Sequence, residues 1–215
     1  MKTNLIILDT ETGGYFYDKN PITEVCLYIV DPITFKVLDK YQTYVKPYDD
    51  LKIEPQAIEA TQVDMKNVLA GVEVNTMVKM LMMYFKKAKN GAKYGLPQLV
   101  GHNVSFDWLF LDYAFAICGK LLLDFLDPIP ICTMRMMSLH DAGSKLDKTE
   151  SASISLTASC ERFGIKLKSA HGAENDVIAT TALLKAMTSK LRSTSQSTTK
   201  EEKVVGEKSR KFFQF

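Results

Sequence analysis

Apolar positions along the chain follow two different periods. The segment from Asn4 to Leu8 is a short apolar run that stops at Asp9-Thr10-Glu11-Thr12-Gly13-Gly14. A run of this length ending in glycines reads as a buried strand entering a turn. Val25 to Val30 is a second β-rich run, Asp31-Pro32-Ile33-Thr34 reads as a turn, and Phe35 to Val45 alternates again. Together they predict an antiparallel three-stranded start.

The period then changes. Val74, Met77, Val78, Leu81, Phe85 and Ala88 recur at helical spacing and predict an amphipathic helix over Glu73–Lys89. Asn90, Gly91, Gly95 and Pro97 break it, and Leu99-Val100 reads as a short strand. Ser105 is the expected N-cap of a helix whose apolar positions are Phe106, Leu109, Phe110, Tyr113, Ala114 and Ile117. Pro128 to Cys132 reads as another short strand, Ser153 to Phe163 as a helix stopped by Gly164, and Glu174 to Lys190 as the last helix. Strands followed by strand–helix alternation imply a mixed α/β sheet with helices on its faces.

Composition sharpens this picture. Of 215 residues, 46% are hydrophobic and 24% charged, which excludes wholesale disorder, a collagen-like chain and a disulfide-stapled peptide. No window reaches the ~18 consecutive apolar residues of a spanning helix, and Leu5–Leu8 is too short for a signal-peptide core of about 7–15 residues. Cys26, Cys118, Cys132 and Cys160 form no CxxC pair and sit in apolar stretches. They read as free thiols of a cytoplasmic, reducing compartment.

The net charge of +2 is unevenly spread: the segment from Ser189 carries seven Lys/Arg and three Glu, which leaves the preceding body slightly acidic. The expected organisation is a folded domain over 1–188, a flexible polar linker over 189–203, and a basic, aromatic tail over 204–215 containing Phe212, Phe213 and Phe215. Such a tail either docks on a partner, with a polymerase or sliding clamp as the expected one, or folds back on its own domain.

Three segments carry candidate chemistry. Asp9 and Glu11 are two apart, so an extended backbone projects both from one face about 6.6–6.8 Å apart. Like charges so placed are relieved by a cation or by protonation, or by solvent at an open edge. Asp107 falls in the first turn of its helix, where an acid also simply complements the dipole. His171 precedes Asp176 across a loop-to-helix boundary, and an imidazole with a pKa of about 6.5 suits proton transfer near neutrality.

Taken together, Leu8-Asp9-Thr10-Glu11-Thr12-Gly13-Gly14, Val100-Gly101-His102-Asn103-Val104-Ser105-Phe106-Asp107, and Leu156 through Phe163-Gly164-Ile165 with His171 and Asp176 resemble the three motifs of the DnaQ-like, or DEDDh, 3′→5′ exonucleases. The resemblance spans most of residues 4–188. It implies a ribonuclease H-like α/β fold with a mixed central β-sheet flanked by helices. It also implies Asp9, Glu11, Asp107 and Asp176 as ligands of two Mg²⁺ (or Mn²⁺) ions and His171 as general base. Hard oxygen ligands favour such ions over zinc.

By the same resemblance, Thr12, Gly13 and Thr61 lie near a 3′-terminal nucleotide, His102 and Asn103 position the second motif, and Phe106 packs against a base or acts as a structural staple. The implied activity is release of nucleoside 5′-monophosphates from single-stranded or frayed DNA 3′ ends in proofreading or DNA processing. An exoribonuclease resembling RNase T or oligoribonuclease, and a catalytically idle nucleic-acid-binding module, are the alternatives. Two departures bear on the substrate: Cys132-Thr133 replaces the Asp-Thr of many relatives, and Ala57-Ile58-Glu59-Ala60-Thr61 lacks their His-Gly. Met77, Met80, Met82 and Met83 on one helix read as core filling, and Trp108 as core or a pocket wall.

Overall fold

The computed structural model describes the backbone of residues 3–61, 63–143, 153–167 and 172–212, with side chains as far as Arg192. Five strands form one sheet: β1 (Leu5–Thr12), β2 (Ile22–Val30), β3 (Val37–Tyr44), β4 (Leu99–Gly101) and β5 (Ile131–Cys132), in the order β3-β2-β1-β4-β5. β1–β2 and β2–β3 pair antiparallel, whereas β1–β4 and β4–β5 pair parallel. The mixed sheet and the antiparallel start are therefore as the sequence implies. Every residue of β2 is buried, as expected of a strand covered on both faces.

Seven helices are described: α1 (Pro55–Thr61), α2 (Met65–Ala70), α3 (Val74–Ala88), α4 (Val104–Ile117), α5 (Thr133–Gly143), α6 (Leu156–Arg162) and α7 (Ala173–Phe212). The alternation along β1 divides them between the two faces. Ile6 and Leu8 join a core with Leu81 and Phe85 of α3 and Phe110, Leu111, Ala114 and Phe115 of α4. Ile7 points the other way, into a cluster with Ala173, Val177 and Leu184 of α7. Odd-numbered residues of β1 thus face α7 and even-numbered ones face α4.

Several boundaries differ from the sequence reading, each for a local reason. β1 continues four residues past the apolar run because its ladder with β2 runs on to Thr12, so Asp9 and Glu11 lie inside the strand. The N-cap of α4 is Asn103 rather than Ser105. Its backbone is left-handed (φ 68°, ψ 39°), a conformation asparagine tolerates better than most residues. Ser105 Oγ instead accepts a hydrogen bond from Arg135 at 3.0 Å. α1 buries no residue and α5 buries only Thr133 and Met137, so neither carries an apolar stripe to read. α7 runs on through 189–203, the stretch that composition marks as a linker. That stretch contains neither proline nor glycine, and in α7 as a whole Gly206 alone belongs to either type.

Gly13 ends β1 where there is no room for a side chain. A Cβ there would lie 2.8 Å from Pro21 Cδ and 3.0 Å from Ile53 Cα. The amide of Gly13 donates to Pro21 O at 2.8 Å and its carbonyl accepts from Glu54 at 2.7 Å, which fixes the exit of the strand. On the other side Phe110 is 2% exposed and packs at 4.8 Å between ring centroids against Phe106. Phe110→Ala is expected to cost about 3–5 kcal/mol and to lower Tm by roughly 10 °C in a thermal melt. A shift under about 2 °C would show that this face is not the core described.

Candidate active site

The parity of β1 assembles the site. Asp9 and Glu11 are odd-numbered and project toward α7, whose first turn supplies Asp176. One carboxylate oxygen from each of these three residues lies within 4.8 Å of the others, and all three residues are partly buried. Asp107 arrives from the opposite layer, in the first turn of α4, and is 3% exposed. Its Oδ1 accepts the backbone N–H of Thr10 at 3.0 Å and the Thr10 hydroxyl at 2.8 Å. A main-chain donor and its own hydroxyl, both on the residue between Asp9 and Glu11, thus pin Asp107 beside them.

Burial and mutual repulsion make the cluster unfavourable to charge on balance. Burial, then the charges of Asp107, Asp176, Glu11 and Glu24, hold the Asp9 carboxyl well above the usual carboxylate range. Burial and the neighbouring Asp176 and Glu24 push Glu11 to about 7, with the Gly172 N–H at 3.3 Å pulling the other way. Burial also raises Asp107, against the lowering effect of its two hydrogen bonds from Thr10. Among the described residues, no ion pair involves Asp9, Glu11 or Asp107. A divalent cation is the natural counter-charge. Asp9, Glu11 and Asp176 would hold such an ion through their carboxylate oxygens, hard donors that suit Mg²⁺ or Mn²⁺.

Glu24 is the acid that sequence reading missed. It faces Glu11 across the β1–β2 ladder, is 4% exposed, and accepts a hydrogen bond from Gln42 Nε2 at 2.6 Å. The available signal was a lone acid inside the apolar run Ile22–Val30. Glu174 was also missed. It accepts from Tyr28 at 2.8 Å and from Lys40 at 2.9 Å, and so fastens the first turn of α7 to β2 and β3 two residues before Asp176.

The remaining expected residues separate into two groups. Thr12, Thr61 and Phe106 line one pocket of about 90 Å³ together with Gly14, Tyr15 and Glu54. Gly13 has already committed its amide to Pro21. Asn103 contributes its left-handed backbone to the start of α4. The ring of His102 lies within hydrogen-bonding distance of Thr133 Oγ1 at 2.9 Å and of Ile154 O at 2.8 Å, bracing the second motif against the segment before α6. Burial lowers its pKa. His171 lies outside the described residues. Its neighbour Gly172, at φ +118°, is the residue whose N–H reaches Glu11.

Comparisons with known proteins agree with this architecture. The sequence profile of the exonuclease family RNase_T matches residues 6–184. A Mycobacterium tuberculosis protein named as a bifunctional exonuclease/endonuclease is 29% identical over 192 residues, covering 86% of this chain and 26% of its own length. A ribonuclease T of Shewanella denitrificans is 25% identical over 115 residues, 51% of this chain and 50% of its own. Among solved structures, E. coli exonuclease I with a dT13 oligonucleotide superposes with a TM-score of 0.67 at 20% identity, over 85% of this chain and 40% of that one. The zinc-bound exonuclease I–single-stranded DNA complex gives 0.72 at 19%, over 88% and 41%. The chain therefore spans half or less of the length of each of these proteins, and the structural matches place its fold.

The raised carboxyl pKa values make metal-free stability pH-dependent. Glu11 holds its proton more tightly folded than unfolded, so its contribution is complete below about pH 4.5 and is lost as pH rises through about 7. In EDTA, Tm is expected to fall by about 5 °C between pH 5.5 and pH 8, on the order of 2 kcal/mol. Millimolar Mg²⁺ or Mn²⁺ is expected to remove most of that fall. A metal-free Tm that rises over this range would contradict the assignment.

Proposed function

We propose that this chain, which belongs to the RNase_T exonuclease family by the match over residues 6–184, is a metal-dependent 3′→5′ exonuclease acting on single-stranded DNA ends. The observation that carries the reading is the convergence of Asp9, Glu11 and Asp176 within 4.8 Å, with Asp107 held beside them by Thr10. These four acids would hold two Mg²⁺ or Mn²⁺ ions. When bound, such a pair lowers the pKa of an attacking water and stabilises the leaving oxygen of the phosphodiester.

The side chains do the rest. His171 takes the proton of the attacking water, and the next residue, Gly172, donates its N–H to Glu11. The P–O bond to the penultimate 3′ oxygen breaks, that oxygen is protonated by solvent, and a nucleoside 5′-monophosphate leaves. The pocket of Thr12, Thr61, Phe106 and Tyr15 receives the terminal nucleotide. Tyr15 is 78% exposed beside it, and an aromatic face stacks on any base for about 1–3 kcal/mol.

Exonuclease I in the matched structures carries single-stranded DNA, which favours a DNA substrate; on that substrate the activity would serve proofreading or DNA processing. The ribonuclease T relative supports a second reading, an RNA-trimming enzyme. A solved exonuclease I complex with an SSB C-terminal segment supports a replication setting, in which the tail over 204–215 docks on a polymerase or clamp. Residues 204–212 of that tail continue α7.

The test is a 5′-labelled strand with Mg²⁺, in matched DNA and RNA forms. A ladder shortening from the 3′ end of DNA is expected, abolished by EDTA and reduced at least about 100-fold by Asp9→Ala. A ladder on RNA alone would select the second reading. No ladder on either would leave a binding module and overturn the enzyme assignment.

A further inference from the structure

We propose that Glu24 is a positioning residue of the cation site. Held in place by Gln42, it sets a negative charge against Glu11 and so tightens the hold of the cluster on a divalent ion, without being one of the ligands. Given the metal-dependent reading above, on which this rests, Glu24 is a working part of the site that lies outside all three sequence motifs.

The register of the sheet puts it there. Glu24 stands directly opposite Glu11 in the β1–β2 ladder, and Cys26 stands opposite Asp9. Opposed residues share a face, with Cβ atoms about 4.5–5.5 Å apart. Cys26, Tyr28 and Val30 of β2 pack with α7, so Glu24 joins Asp9 and Glu11 on that same side of the sheet. It is the only charged residue of β2 and is 4% exposed. Like charges directly opposite each other destabilise a ladder, and among the described residues no ion pair relieves Glu24. Burial, Asp176 and then Glu24 raise the Glu11 carboxyl.

The edge strand β3 treats two acids differently. Lys40 pairs with Glu174 at 2.9 Å and balances its charge. Two residues on, Gln42 donates from Nε2 to Glu24 Oε1 at 2.6 Å. A neutral amide fixes that carboxylate and leaves its charge intact. Glutamine at position 24 would fill the same space and accept the same bond without burying a charge. The charge is a cost while the cluster is empty and a gain once it is filled: against Glu11 it meets one unit of like charge, against a divalent ion two of opposite sign. Asp9, Glu11 and Asp176 are the residues whose oxygens lie within 4.8 Å of one another. Glu24 stands behind Glu11 with Oε1 committed to Gln42, and so acts on the ion across its neighbour.

The test compares the full chain with Glu24→Gln and Gln42→Ala in two measurements: Mn²⁺ affinity from the EPR signal of the free ion, and metal-free melts in EDTA at pH 8. Glu24→Gln is expected to bind Mn²⁺ about tenfold more weakly than the parent. Its metal-free Tm is expected to rise by roughly 2 °C or more, because the repulsion of Glu11 is gone. Gln42 is exposed on the edge strand, so Gln42→Ala should fold as the parent does and is expected to weaken Mn²⁺ binding about threefold by releasing the carboxylate. A purely structural Glu24 gives the opposite pattern. Unchanged Mn²⁺ affinity in Glu24→Gln, or a metal-free Tm that stays level or falls, would overturn the proposal. Complete loss of saturable binding in that variant would make Glu24 a ligand and overturn it too, as would parental affinity in Gln42→Ala. A parent that binds no Mn²⁺ would overturn the cation reading itself, and this role with it.

Discussion

The constraint on which the site depends is the packing of like charges into a partly buried cluster. Asp9, Glu11, Asp107 and Asp176 share one cleft, with Glu24 against it, and no ion pair among the described residues reaches Asp9, Glu11 or Asp107. In the low effective dielectric of a cleft, each added carboxylate makes its neighbours harder to ionise. A divalent cation bound among them would relieve that repulsion.

The scaffold makes the clustering achievable with few residues. A single strand, β1, serves two layers at once: its odd positions send Asp9 and Glu11 toward α7, and its even position Thr10 captures Asp107 from α4. The first turns of two helices point at the same strand end, so two of the acids arrive with favourable dipoles behind them. Glu174, tied to Tyr28 and Lys40, sets the position of the α7 turn, and Asn103 sets that of α4 through its left-handed backbone. Positioning is thus delegated to groups that carry no chemistry themselves.

Much of this was legible in the sequence. The strand and helix periods located β2, α3 and α4, because each buries a wide apolar face, and β3 through its alternation although none of its residues is buried. The acids were picked out through the resemblance of three segments to the DnaQ-like motifs, and the structure brings Asp9, Glu11 and Asp176 together. Glu24 was hidden because a burial-driven reading of Ile22–Val30 sees only a strand, and its cross-strand partnership with Glu11 exists only in register. His102 was expected to position the second motif, and it does so through a ring that spans Thr133 and Ile154, contacts 31 and 52 residues away that no local pattern encodes. The helical run past Lys190 was missed because serine and threonine are poor helix formers but not helix stoppers.

The claim on which the account turns is that the acid cluster is a cation site. Isothermal titration of Mn²⁺ into the metal-free protein at pH 7.5, alongside the Asp9→Asn variant, tests it most directly. The account predicts saturable binding to the parent, accompanied by proton release, and binding at least roughly tenfold weaker in the variant. Equal affinity in the two proteins, or no binding by either, would contradict it.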